Sequence, residues 1–185
     1  MFCVRDRAES FCDAELWGDH EPDFSMLQSA ILRHGNLEDF EEFIWCGYGE
    51  PTFRLDLMVE AASWLGSRGA SVRLNTNGHA CLIHGRDVLP DLGGAVDVVS
   101  VSLNAPAAAR YLELCMPDPD MFPDPGKIRE NPEIVWDAML DFLRRAPDYF
   151  GFVQASVIGF SLTVAEIAQC RETALSLGIK NFRVR

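Results

Sequence analysis

The chain has 185 residues and a formal net charge of −12, is 48% hydrophobic and 24% charged, and so suits one soluble globular domain with a real core. The acidic balance excludes a nucleic-acid surface, which needs clustered Lys and Arg. No apolar run nears the roughly 20 residues that span a bilayer and no signal-peptide pattern opens the chain, so a cytoplasmic, non-membrane protein is expected.

A polar loop runs to about residue 24. Ser25, with Gln28 three residues on, predicts a capping box for a helix faced by Leu27, Ala30 and Ile31 and ended by Gly35. Phe43–Cys46 reads as a strand. Leu55, Met58, Ala62 and Leu65, spaced by three and four, predict a helix that stops before Gly69. Ser71–Leu74 is the next strand, followed by an irregular stretch over 79–94 with one short helix. Val96–Ser102, almost wholly β-branched and apolar apart from Asp97 and the serines, predicts a parallel strand covered on both faces. Five prolines between residues 117 and 132 mark a surface excursion. Asn131-Pro132 opens a helix whose inner face is Val135, Met139, Phe142 and Leu143. Phe150–Ile158 is a strand, Thr163-x-x-Glu166 a capping box, and Ile167, Cys170, Ala174 and Leu177 the face of the helix that Gly178 closes. Ile179–Val184 is the last strand. This alternation predicts an α/β fold with a parallel sheet, in which no strand precedes the first helix.

Three strand ends carry polar residues. At the first, Gly47 and Gly49 permit close approach to the backbone, Pro51 fixes the exit, and Glu50 offers a carboxylate suited to an ammonium group or to a base. A plain turn with an exposed Glu accounts for it equally. At the second, Asn75 and Asn77 precede Gly78, and serve either amide recognition or a cap. At the third, Ser102 and Asn104 share one side of an extended chain, facing either a polyol or their own strand end.

Other polar clusters read as structural. His20, Glu21 and Asp23 suit a solvated loop. His79 and His84 lack a partner at metal-ligand spacing, and Asp118, Asp120 and Asp124 lack the glycine and terminal Glu of a calcium loop. The six cysteines (Cys3, Cys12, Cys46, Cys81, Cys115, Cys170) form no C-x-x-C pair and read as buried or free thiols.

In combination, GYGEPT (47–52), VRLNTNGHA (72–80) and VSVSLNAP (99–106) resemble the radical S-adenosylmethionine (SAM) superfamily, and more closely its TatD-linked subfamily. The resemblance implies a partial (βα)6 TIM-like barrel whose first strand is absent from this chain. It implies a [4Fe–4S] cluster that reductively cleaves SAM to a 5′-deoxyadenosyl radical acting on an unknown substrate. It places Gly47, Gly49 and Glu50 at the methionine amino group. It places Asn75, Asn77, Ser102 and Asn104 around the ribose mouth, and Ile158 with its neighbours and Arg183 near adenine or carboxylate.

The family's cluster motif is C-x3-C-x2-C. Phe2-Cys3 matches its last cysteine as a metal ligand, and the other two would fall before Met1. An amino-terminally incomplete chain accounts for this, as does a cluster-free SAM-binding module without radical chemistry. The resemblance further implies an electron donor such as flavodoxin or ferredoxin and a functional link to a TatD-type hydrolase. An unrelated barrel hydrolase using Glu50 with His79 or His84 is a third reading.

Overall fold

The computed structural model describes residues 10–11, 14–15, 20–47 and 49–185. Where a polar loop and no strand were expected before the first helix, a two-stranded antiparallel ladder forms, β1 (Ser10–Phe11) with β2 (Ala14–Glu15), as a sheet separate from the main one. Helix α1 (Phe24–His34) leads into strand β3 (Phe43–Trp45) and helix α2 (Leu55–Gly66). Strand β4 (Val72–Thr76), short helices α3 (Ala80–His84) and α4 (Leu89–Gly93), and strand β5 (Val98–Ser102) follow. Helices α5 (Ala108–Cys115), α6 (Pro125–Glu130) and α7 (Ile134–Arg145) then lead to β6 (Phe152–Val157), α8 (Val164–Ser176) and β7 (Asn181–Val184).

Strands β3 to β7 pair in chain order, all parallel, as one open arc. This is the partial TIM-like barrel, and its five strands are the five that alternation predicted. Among the described residues no helix is long and apolar enough to cross a membrane.

The arc has two chemically different faces because side chains alternate along each strand. On the outer face Val72, Leu74, Val99, Val101, Ala155 and Val157 are fully buried, in one core with Met58 and Leu65 of α2 and Met139 and Phe142 of α7. Towards the carboxyl ends of the strands the inner face is polar. There the register aligns Asn75 with Ser100, Ser100 with Gln154, and Gln154 with Asn181, one residue on each of four neighbouring strands. Strand β5 is covered on both faces at its centre, as expected: Val99, Ser100 and Val101 are all buried, with Ser100 Oγ 3.5 Å from Gln154 Oε1.

Several local expectations are also revised. Asp23, not Ser25, caps α1, since its carboxylate accepts from Met26 N at 2.8 Å while Ser25 already lies in the first turn. The stretch 79–94 holds two short helices, split where Gly85 takes a left-handed conformation (φ 60°). Helices α5 and α6, absent from the sequence reading, flank and enter the proline-rich excursion, and Asp124 caps α6 by accepting from Lys127 N at 3.0 Å. Helix α7 begins at Ile134, past the expected Asn131-Pro132 cap. The Thr163–Glu166 box forms as read, with Thr163 N donating to Glu166 Oε2 at 2.7 Å.

Gly78 sets how closely β4's exit packs on α7. Its φ is +82°, and a Cβ there would lie 3.0 Å from Met139 Cγ and 3.1 Å from Val101 Cγ1. Both the backbone conformation and the crowding oppose a side chain. Gly78→Ala is expected to cost about 1–3 kcal/mol of stability, read as a lower urea midpoint at unchanged slope.

Candidate functional site

The strand ends meet around Glu50. Its Oε1 accepts from Thr52 N (3.3 Å), Thr52 Oγ1 (2.8 Å) and Thr76 Oγ1 (2.7 Å), and its Oε2 from Asn77 N (2.7 Å). One carboxylate thus caps the turn after β3 and ties it to the end of β4. Thr76 Oγ1 also accepts from Gly78 N at 3.0 Å, and Asn77 Oδ1 from His79 N at 2.9 Å, so the Asn-Thr-Asn-Gly segment holds its own turn. His84 Nε2 lies 2.7 Å from Thr52 O and fastens the same turn to α3. Gly49, at φ +138°, supplies the backbone conformation that brings Glu50 round.

Burial raises the Glu50 pKa above its ordinary value, while the Asn77 and Thr52 amides and the Thr76 and Thr52 hydroxyls pull it back down. Oε2 has a single donor, so it is the oxygen with lone pairs left for a ligand.

Behind this hub lies a buried aromatic and polar cluster. His79 is 2% exposed, packs edge-on against Tyr111 and Phe122, and has its Nε2 3.3 Å from Tyr111 Oη. Desolvation lowers its pKa to about 4, so its ring is neutral at neutral pH. Burial pushes the Cys115 thiol up to about 12, against the opposing pull of Asn104 and Tyr111 beside it. Asn104 is 6% exposed, takes a left-handed φ of 55°, and among the described residues its Oδ1 has no hydrogen-bond partner.

The predicted residues therefore divide. Glu50 and Asn77 share one hydrogen-bonded hub, with Gly47 and Gly49 in the turn leading to it. Asn75, by strand parity, belongs to the inner face rather than to that hub. Ser102 and Asn104 do not share a side, because the strand ends at Ser102 and the chain folds tightly beyond it, Ala105 N donating to Leu103 O at 2.7 Å. Ser102 sits on the inner face and accepts from Arg185 Nη2 at 3.0 Å, whereas Asn104 turns into the Tyr111 and Cys115 cluster. Ile158 and Arg183 follow the inner-face parity of β6 and β7, far along the arc from Glu50. Cys3 lies outside the described residues. Among the described residues no three His, Cys, Asp or Glu side chains gather as a metal-ligand set.

Sequence reasoning missed Thr52, Thr76, Gln154 and Arg185. The period-two polar positions Gln154 and Ser156 inside an apolar strand were the available signal for the inner face. Two surface concavities lie elsewhere. One of about 220 Å³ is lined by Ser63, Gly66, Gly93 and Asp97, and one of about 440 Å³ by Leu112, Met116, Ile128 and Pro132.

No family model matches the chain, and no curated protein matches it. Solved structures do. The structure of TYW1 with a lysine-pyruvate adduct bound is similar at a TM-score of 0.51 and 16% identity, over 83% of this chain and 46% of that one. A domain of pyruvate-formate lyase-activating enzyme from Bacteroides vulgatus ATCC 8482 is similar at a TM-score of 0.42 and 12% identity, over 77% of this chain and 98% of that domain. The chain spans less than half of the TYW1 structure. The likeness to TYW1 shows the fold, an open partial TIM-like barrel.

Two titrations probe the site. Glu50, with its pKa raised, binds a proton in the folded chain at a pH where the unfolded chain has lost it, so its term in stability falls as pH rises through the folded midpoint. Carboxyl ¹³C titration of the glutamates is expected to show one resonance above the usual 4.5 that disappears in Glu50→Gln. His79 acts with the opposite sign. Its contribution is complete above the unfolded value of 6.5 and is lost as pH falls towards about 4, a loss on the order of 3 kcal/mol. Urea melts at pH 7 and pH 4.5 should therefore differ less for His79→Gln than for the natural chain.

Proposed function

We propose that this chain is the barrel of a radical SAM enzyme of the TatD-linked type, with SAM bound across the carboxyl ends of β3, β4 and β5. The observation that carries the reading is Asn104: a buried carboxamide oxygen without a partner among the described residues, held in a left-handed conformation at a strand end. An orphaned acceptor of this kind is costly unless a ligand donates to it, and a ribose hydroxyl is such a donor.

The other groups fit the same cofactor. Glu50 Oε2, with one donor only, would accept from the methionine ammonium, with Gly47 and Gly49 keeping the approach open. Asn75 and Asn77 line the β4 side, and Ser102 and Ile158 the far side. Cys3 would be one thiolate ligand of the [4Fe–4S] cluster. When bound, that pair of cofactors supplies hydrogen-atom abstraction from a substrate, with electrons from a donor of the flavodoxin or ferredoxin kind. The protein's part is to orient SAM against the inner face. The order of the three strand-end motifs supports the TatD-linked assignment and, through it, a working link to a TatD-type hydrolase.

Calorimetry with SAM on the full chain, without iron, tests the reading. Heat of binding is expected, and Asn104→Gly, which keeps the left-handed backbone while removing the amide, should weaken it about tenfold. No heat with the natural chain would overturn the cofactor assignment.

A further inference from the structure

Among the described residues seven arginines lie against carboxylates, among them Arg73 on Glu42, Arg110 on Glu113 and Glu166, and Arg145 on Asp87 and Asp141. Arg68 and Arg171 lie instead over the rings of Trp64 and Phe182, and Arg183 and Arg185 do neither. Among the described residues neither has a carboxylate within ion-pair distance, although the chain carries 28 acidic side chains against 16 basic ones.

Their placement is set by register. Arg183 pairs with Ser156, which pairs with Ser102, and Arg185 follows two residues on, so both arginines take the inner-face parity of β7. Arg185 Nη2 donates to Ser102 Oγ at 3.0 Å across two strands, and its backbone is pinned by Arg185 N to Val157 O at 2.9 Å and Gly159 N to Arg185 O at 2.8 Å. Gly159 is required for that closure, since a Cβ would come within 2.7 Å of Val184 Cγ1. Partial burial, and then the like charge of Arg183, lower the Arg185 pKa. Below them lie the neutral side chains of Asn75, Ser100 and Gln154.

We propose that Arg183 and Arg185 are the anion-binding edge of the inner face, holding the carboxylate or phosphate of a small polar substrate beside Gln154. The inference rests on the reading that SAM occupies the β3 to β5 side. With strands about 4.8 Å apart, β7 stands roughly 10 Å from β5, so it reassigns Arg183 from the cofactor to the substrate. Guanidinium forks suit both anions because each offers paired donors to paired oxygens.

Thermal melts of the full chain at constant ionic strength, with inorganic phosphate or malonate replacing chloride, test the edge by mass action. A saturable rise in Tm is expected for the natural chain with at least one of the two anions, the stronger response naming carboxylate or phosphate. It should vanish in the double variant R183Q/R185Q and need about tenfold more anion in R185Q, while R185Q binds SAM as the natural chain does. An equal anion response in the natural chain and the double variant would overturn the proposal, as would no response to either anion. Loss of SAM heat in R185Q would also overturn it, because the arginine would then serve the cofactor. If the natural chain gives no SAM heat, the cofactor reading fails, while the anion melts still decide the arginine edge.

Discussion

The Glu50 carboxylate holds the mouth of this arc together. A parallel sheet leaves each strand end to a separate loop, and nothing in the ladder itself joins the loop after β3 to the loop after β4. Glu50 does so by accepting two hydroxyl and two amide donors from Thr52, Thr76 and Asn77. Desolvation opposes the charge and the donors favour it, and desolvation is the larger effect. A carboxylate in that balance is not a spectator on a turn. It fixes where the backbone amides of Asn77 and Gly78 point, and hence where α3 begins.

The second constraint is the division of the sheet into an apolar outer face and an inner one that is polar towards the carboxyl ends of the strands. A closed eight-stranded barrel fills its interior with branched apolar side chains. On its inner side the arc instead carries Asn75, Ser100, Gln154 and Asn181 in one row, and the Arg73–Glu42 pair at 2.7 Å near the amino ends. Nearer the amino ends the row is largely apolar, Ile44, Val98 and Phe152 aligning with Arg73.

Much of this was legible in the sequence because local rules and tertiary packing agree. The five strands, the α2 and α7 faces and the Thr163–Glu166 box follow from periodicity and capping alone. The errors arose where tertiary context decided. Ser25 looks like a better cap than Asp23 only if the helix start is unknown. Ser102 and Asn104 share a side only while the chain stays extended, and the turn at Leu103–Ala105 breaks that premise. The candidate site was legible as three motifs, but not as a hub, since Thr52 and Thr76 gain their meaning from a carboxylate that sequence places more than twenty residues from Thr76. Cys3 and the cluster it implies fall outside the described residues.

The same geometry weighs against a hydrolase built on Glu50 with a histidine base. Such a base must be within reach of a nucleophile and poised near the working pH. His79 is sealed between Tyr111 and Phe122, with its pKa near 4, and its Nε2 faces a tyrosine hydroxyl rather than solvent. His84 spends its Nε2 on the Thr52 carbonyl. Glu50 Oε1 is surrounded by donors, which leaves Oε2 as a hydrogen-bond acceptor rather than a proton shuttle. Every ionisable group at the hub is thus committed to holding the mouth in shape. Among the described residues, hydrogen-bonding capacity is left at the Asn104 oxygen, Glu50 Oε2 and the arginines of β7, and under the proposed reading these would bind and orient a cofactor and its substrate rather than exchange protons with them.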